Sequence, residues 1–487
     1  MSSTTERRRR EGGQIIVIFA GALIAICAIA ALVFDVGQNL LDRRAEQNAA
    51  DAAALAGARY VIGVTYTYHG GCGAGPFTSM PAVQTACDIA AANGYVDGAN
   101  GRIVRVDLPP IAPSVFSGRP GHIEVTIRST RGSFFQGVLG VTQQKTAADA
   151  VATNGSDIPL PYSLLALDPT GCGTNKINGA PGTIVTTDGT VHVDSACPTD
   201  ALLLSGNGVL TAPECDVVGT IQTANNATNN CTEAPTGVLV SGDPLRFLPP
   251  PTKPGPPTAV LPLDATPGPI PANCPGGSAP ATDSAPAPCA FTAPAMNSKT
   301  YRIFPGNYPG GIQVTRATVY MDPGLYYIGG GGIDIKSTGP AGVYGQLVSK
   351  APGDNTGIIP SGGVLIYDTK DPVTGTIGPI HLNGGDGSTL ALEPIQSGLY
   401  KNMVIFVDRD YPTGTVAIDL NGDGSNLAVS GTIYAASGTV KLNGGASSSI
   451  SAQVICYNFQ VNGSGSSFTI DFNPDELFHV KGVGLVQ

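Results

Sequence analysis

Leu420-Asn421-Gly422-Asp423, Leu442-Asn443-Gly444-Gly445 and Val461-Asn462-Gly463-Ser464 are three copies of one short phrase, and Leu382-Asn383-Gly384-Gly385-Asp386 is a fourth upstream. Each follows a short apolar run, and the interval from Asn383 to Asn421 is twice that from Asn443 to Asn462. This spacing predicts a repeat of about 20 residues, which suits one coil of a parallel β-solenoid. Such a coil buries its apolar positions only against its neighbours. Asn and Gly accept the left-handed backbone of a sharp corner, and stacked asparagines hydrogen-bond as a ladder.

Between and before these phrases, the runs GVLIYD (363–368), MVIFVD (403–408), GTIYA (431–435) and QVICY (453–457) are apolar without alternation. That pattern predicts strands buried on both faces. An antiparallel β-sandwich is the alternative, since uneven spacing also suits hairpins. Residues 161–242 have the same texture, as in GTIVTTDGTVHVDS (182–195), and are expected to be earlier coils of the same array. Between the two parts, residues 249–294 hold fifteen of the forty prolines. Proline lacks a backbone donor and favours extended chain, so this stretch is expected as a surface insertion within an all-β region of residues 155–487.

The N-terminus is built on different rules. Arg7, Arg8, Arg9 and Arg10 precede twenty residues, 15–34, that carry no charge. As a helix they would span about 30 Å, the thickness of a bilayer's hydrocarbon core. The arginines predict a cytoplasmic tail at 1–14, a single transmembrane helix at 15–34 and export of the remainder. The run is longer than a signal-peptide core and no small-x-small site follows it, so an uncleaved anchor is expected in the membrane from which the remainder is exported. A net charge of −10, with no further basic cluster, argues against nucleic acid as a partner.

Ten cysteines are present. Cys27 falls in the apolar run and Cys456 in a strand-like run. The other eight are near neighbours: Cys72 and Cys87, Cys172 and Cys197, Cys215 and Cys231, Cys274 and Cys289. None has zinc-site spacing, so disulfides in an oxidising compartment are expected. Nearest-neighbour pairing is the simplest of the roughly 105 connectivities that eight cysteines allow. Beyond the apolar run, Leu41, Ala45, Ala49, Ala52, Ala56 and Tyr60 recur at helical steps. This small-residue stripe packs either on the protein's own next domain or on other helices of a pilin-like bundle.

Asp35-Val36-Gly37, a spacer and Gln47-Asn48-Ala49-Ala50-Asp51-Ala52-Ala53-Ala54-Leu55-Ala56-Gly57-Ala58 resemble the N-terminal segment of TadG-like proteins of the tight-adherence (Flp) pilus-assembly system. The resemblance is carried by Asp35, Gly37, Gln47, Asn48, Ala50, Asp51, Leu55 and Gly57, and it extends more weakly to about residue 153. It implies an α+β pilin-like module over residues 35–153 and a role in pilus assembly. Two features depart from the family. Gly13 is followed at the fifth position by Ile18 rather than the glutamate of a prepilin cleavage site, and no Asp-x-Ser-x-Ser metal motif is present. More weakly, Asp243-Pro244-Leu245 before Pro249-Pro250-Pro251 resembles an insertion in solenoid-bearing pilus-assembly relatives. Asp322-Pro323-Gly324-Leu325 resembles a coil start of pectate-lyase-like β-helices.

Signs of catalysis are few. Five scattered histidines and no GxSxG, HExxH or P-loop phrase leave Asp368, Asp371, Asp408, Arg409 and Asp410 as the best acid–base group. Two coils of separation would set them about 10 Å apart. Asp419-x-Asn421-x-Asp423-Gly424 opens like a calcium loop, with Asp386 as a further oxygen, but its twelfth position is Ser430 rather than glutamate, so a turn is expected. The sequence therefore reads as a structural, non-enzymatic envelope protein without catalytic, metal or cofactor residues. Its expected partners are the membrane, pilus-assembly proteins and surface glycans. A membrane-tethered carbohydrate-active β-helix enzyme is the alternative.

Overall fold

The computed structural model describes residues 5–133, 142–180, 184–255, 257, 260–262, 291–292, 299–315, 317–336, 346–349, 362–383, 389–422, 426–444, 448–463 and 467–486. The chain divides into two compact units. The first comprises Met1–Asp157, Phe247–Pro249 and Lys481–Gln487, and the second Ile158–Arg246 and Pro250–Val480.

In the first unit, helix α1 (Thr5–Ala58) runs unbroken through the arginines, the apolar run and the alanine-rich segment. Strands β1 (Tyr68–Gly71), β2 (Arg102–Leu108), β3 (His122–Gly132) and β4 (Gln143–Pro159) pair antiparallel in chain order. The strand His479–Leu485 joins beside β4. Period-two alternation turns Val104, Val106, Ile123, Val125 and Ile127 to one face, where they are fully buried. Helix α2 (Pro81–Ala92) begins with proline at its first turn, where a missing N–H costs nothing. It buries Ala82, Val83, Ala86, Cys87 and Ala90, and Cys87 is bonded to Cys72.

The second unit is mostly β, and among the described residues its pairings are parallel, except that Val260–Pro262 runs antiparallel to Lys299–Ile303. Parallel order excludes the hairpin-built sandwich, whose neighbouring strands run in opposite directions. Strands pair with the third strand onward, so each turn of chain lays one layer of three strands on the next. One column of pairs passes through Ile312–Thr315, Ile333–Lys336, Ile380–Asn383, Val416–Gly422, the second half of Asn426–Gly444 and the second half of Ser448–Gly463. It continues into Asn175–Gly179, Leu202–Gly206 and Ile221–Thr223. The column thus crosses from the chain's last layer directly to its first. Residues 161–242 pair onto the layer of residues 448–463 and so follow the later residues in the stack rather than precede them. Strands Val209–Val217 and Ser448–Gly463 each pair on two faces. As a result Tyr162–Ala166, Thr190–Val193, Val209–Val217, Ile184–Thr187, Ser467–Ile470 and Ser448–Gly463 form a closed ring of six parallel strands.

Asn383, Asn421, Asn443, Asn462 and Asn178 stand in one register, as the ladder reading requires. Two details of that reading are corrected. Asn421, Asn443 and Asn462 lie within strands and have no positive φ, so they are not left-handed corners. Asn383 and Asn421 are in adjacent layers, so their separation is one long turn of chain rather than two short ones. Loop length hides the period: the turn from Ile333 to its partner Ile380 is more than twice as long as that from Val440 to its partner Phe459.

The chain after the first layers becomes a strap along the array. Pro235 O accepts from Val217 N at 3.1 Å, and Ser241 and Gly242 donate their N–H groups to Asp194 at 2.7 and 2.9 Å. Asp243 accepts from the Tyr434 hydroxyl at 2.6 Å, and Gly255 O accepts from Asn307 N at 2.9 Å. Most of the proline-rich insertion, with Cys274 and Cys289, lies outside the described residues.

Candidate functional site

Helix α1 has two environments. From Glu46 onward its buried positions are Glu46, Ala49, Ala50, Ala53, Ala54, Gly57 and Ala58. This face is one step round from the stripe expected: Ala49 is shared, but Leu41 and Ala45 are exposed and Ala52 and Ala56 only half-buried. Alanine alone could not fix the rotation, because the residues on both stripes are equally small. Packing is tightest at Gly57, where a Cβ would come within 2.9 Å of Ala82 O and 2.8 Å of Ile123 Cδ1. Gly57 is therefore the contact that lets α1 lie against α2 and the sheet.

The other residues of the family motif serve this docking in different ways. Gln47 donates to Asp51 at 2.8 Å and to Asp149 O at 3.0 Å, fixing the helix to β4. Glu46, which nothing in the sequence singles out, is buried and accepts from the Thr146 hydroxyl at 2.6 Å. Ala50 and Asp35 are buried, Leu55 packs partly against the core, Asn48 is exposed and Gly37 faces open space.

Above Gly37 the helix carries its apolar side chains outward. Ile16, Val17, Ile18, Phe19, Ile26 and Ile29 are each more than 60% exposed. No helix, over its described residues, is long and apolar enough to cross a membrane. Arg7, Arg8, Arg9 and Arg10 lie in the helix, with side chains outside the described residues, as is that of Cys27.

The carboxylates considered for catalysis do not converge. Asp368 and Val407 pair directly, so Asp368 and Asp408 are one layer apart and not two. They also point differently. Asp368 turns into the core between Ile328 and Val407, whereas Asp408 accepts from the Tyr367 and Thr369 hydroxyls at 2.8 and 2.5 Å. Asp371 caps a turn by accepting from Val373 N and Thr374 N. Asp410 is exposed, 3.7 Å from Lys370. Arg409 is committed to the strap: it donates to Leu245 O and to the Tyr434 hydroxyl, and lies 3.6 Å from Asp243.

The described part of the calcium-like phrase is strand. Asp419 and Asn421 belong to the strand Val416–Gly422 and engage neighbouring layers, Asp419 accepting from Asn443 at 2.7 Å. Asp423, Gly424 and Asp386 lie outside the described residues. Among the described residues one cysteine–carboxylate trio is close enough for a metal, namely Cys172, Cys197 and Asp200. Its two sulfurs are joined as a disulfide and are not thiolate ligands. Cys215 is bonded to Cys231, and Cys456 is a buried free thiol whose pKa burial pushes up.

In the first unit, Asp107 and Glu124 face each other across β2 and β3. Arg105 donates to both Asp107 oxygens, while His69 lies 3.3 Å from one of them. Burial, aided by Asp107 and Asp149, pushes the Glu124 carboxyl up to about 7. Residue type and alternation placed neither acid opposite the other, because register between strands is a tertiary property.

Residues 13–59 match the family model described as putative Flp pilus-assembly TadE/G-like. The N-terminal segment is thus TadE/G-like, and the match covers the apolar and docking stretches of α1 together. No curated protein matches the chain. Among solved structures, the competence-associated pilin ComZ from Thermus thermophilus is similar at 12% identity over 81% of this chain and 85% of that one, with a TM-score of 0.25.

Proposed function

We propose that this chain is a membrane-anchored, non-catalytic component of a tight-adherence-type pilus-assembly or surface-adhesion apparatus. Its N-terminus lies in the cytoplasm, and a pilin-like first unit and a β-solenoid second unit are exported. The observation that carries the reading is that the TadE/G-like match spans a helix whose lower part docks on its own sheet while its upper part leaves apolar side chains uncovered. An uncovered apolar helix in water is costly, at about 25 cal/mol per Å² of apolar surface. Lipid, or the corresponding helices of other subunits, would remove that cost.

The charge-free run of residues 15–34 and the arginines before it support an anchor with the tail inside. Three disulfides support an oxidising exterior. Parallel pairing of every third strand supports the solenoid, which would offer its long polar flanks to pilus-assembly proteins or surface glycans. The dispersal of Asp371, Asp408, Arg409 and Asp410 into turns and strap contacts speaks against a polysaccharide-cleaving site.

The test is deletion of the gene in its host, with complementation by wild type, by a chain lacking residues 5–41, and by Asp408→Asn. Pilus display and surface attachment should be lost on deletion, restored by wild type and Asp408→Asn, and not restored by the truncated chain. Normal piliation in the deletion strain would overturn the proposal. Rescue that Asp408→Asn cannot provide would favour the enzyme.

A further inference from the structure

We propose that His192, Asp216 and Glu214, in the early layers of the second unit, form a binding site for a divalent transition-metal ion of the zinc class. His192 stands in the strand Thr190–Val193 and pairs directly with Asp216 of the neighbouring strand Val209–Val217. Glu214 lies two residues before Asp216 and so turns to the same face. In the sequence these residues are a full turn of chain apart, and no short-motif spacing marks them. Stacking of one layer on the next brings them together.

The imidazole is buried and oriented. His192 is 3% exposed, and its Nε2 lies 3.1 Å from Asp194 Oδ1. Asp194 also accepts from Ser241 N and Gly242 N. A carboxylate so held offers only acceptor oxygens, so Nε2 carries the ring proton. The lone pair of the neutral ring is then on Nδ1, which has no hydrogen-bond partner among the described residues and faces Asp216 Oδ2 at 3.6 Å. Two acceptors thus confront each other. The gap is too long for a hydrogen bond from a protonated ring. It suits two ligands of one ion, since bonds of about 2.1 Å at a tetrahedral angle set their donor atoms about 3.4 Å apart. A carboxylate behind the second nitrogen is the usual support of a metal-bound histidine.

Glu214 supplies the third ligand. It is half-buried beside Asp216, and its Oε2 is 3.5 Å from the Thr190 hydroxyl. As the side chains stand, only His192 Nδ1 and Asp216 Oδ2 are at ligand separation, and Glu214 reaches the ion by turning about its side-chain bonds. The charge of Asp216 pushes the Glu214 carboxyl up, and Glu233, its partner in the next strand, adds to the repulsion. Among the described residues no basic side chain relieves it at Glu214, whereas a divalent cation would. On its other flank His192 pairs with the fully buried Leu165, so the ion has a place on one side only. The Asp216 side chain is 20% exposed, which leaves a path for the ion and for water to complete its shell. One imidazole with carboxylates suits zinc and its neighbours, while calcium and magnesium take oxygen ligands. The bound ion would tie two layers together and, through Asp194, steady the strap.

The test uses the full-length chain in detergent, stripped with EDTA and titrated with zinc chloride by calorimetry. Wild type should show a saturable site for one ion per chain, with calcium chloride binding at least about tenfold more weakly. Asp216→Asn and Glu214→Gln should each weaken zinc at least about tenfold, while Asp200→Asn and His381→Ala should leave it unchanged. Zinc should raise the Tm of wild type and not that of Asp216→Asn. X-ray absorption of the zinc-loaded wild type should show a single imidazole among oxygen neighbours and no sulfur at about 2.3 Å. That last measurement needs no variant, so it decides the matter if Asp216→Asn or Glu214→Gln fails to fold. No saturable binding, binding unchanged in Asp216→Asn, a sulfur neighbour, or a loss that follows Asp200 or His381 would each overturn the proposal. Failure here leaves the pilus reading intact, since that rests on α1.

Discussion

Asp368 lies in a file of apolar side chains, with Ile328 and Val407 on either side, and neither of its oxygens has a hydrogen-bond partner. Burial, with Asp408 nearby, pushes its carboxyl well above the ordinary carboxylate range. Glu124 and Glu393 are each pushed up to about 7, chiefly by burial. An acid whose folded-state pKa is raised holds its proton longer in the folded state than in the unfolded one. Its folding penalty is therefore absent below the unfolded value near 4 and grows as pH rises toward the folded value. Thermal stability should fall between about pH 4.5 and 7 from these groups, measured by calorimetry. Asp368→Asn should flatten that slope and Asp368→Val should raise Tm at pH 7. A lower Tm for Asp368→Val at pH 7 would assign the carboxyl a stabilising role. The sequence marked Asp368 as an acid ending an apolar run and as a member of the best acid–base group, not as a core residue, because in a strand buried on both faces neither parity points to solvent.

Among the elements, the strap is the part least evident in the sequence. Arg409 holds it through the Leu245 carbonyl, Asp243 and Tyr434, and stacks over the rings of Phe406 and Tyr434. The Asp243-Pro244-Leu245 phrase that stood out as an insertion is thus a fastening, and the arginine weighed for acid–base work is its catch. Arg409→Ala should cost about 2 kcal/mol through lost charged hydrogen bonds and packing. It should also render residues 236–246 sensitive to limited proteolysis while the layers remain resistant. Unchanged cleavage would show that Asp194, which accepts from Ser241 and Gly242, holds the strap alone. What the alanine-rich stripe packs on was open between the protein's own next domain and other helices, and only the existence of helix α1 was legible from composition and periodicity. The rotation of the docked face was not, since it follows from where Gly57 admits Ala82 and Ile123.

Across the molecule as a whole, the order of layers matters more than their number. The layer formed by 448–470 has a neighbour on each side, Asn426–Gly444 and the first strands after residue 160. Gln453 donates to Tyr162 O at 2.6 Å across 291 residues of sequence. In a linear repeat array, removing the last repeat exposes one interface. Here, deletion of residues 448–487 should expose two and separate the early layers from the late ones. We expect loss of the cooperative thermal transition and rapid proteolysis of the whole second unit, assayed by circular dichroism and trypsin. A stable remainder with a slightly lowered Tm would show that the early layers fold without the late ones. Such long-range closure also places folding at the slow end for a domain of this size.

Local sequence was enough to establish the N-terminal helix, the division between an alanine-rich and a Gly/Asn-rich part, and the asparagines that share one register. These follow from propensity, periodicity and the need of each repeat to bury its apolar side. Contacts between distant strands settled that the last layer adjoins the first and that the chain from Asn383 to Asn421 makes one turn rather than two. Tertiary packing likewise chose which face of α1 is covered and made Arg409 the fastening of a strap. Those outcomes depend on which strands meet across hundreds of residues, and chain connectivity constrains such meetings only weakly, because closing a long loop costs little more than closing a short one.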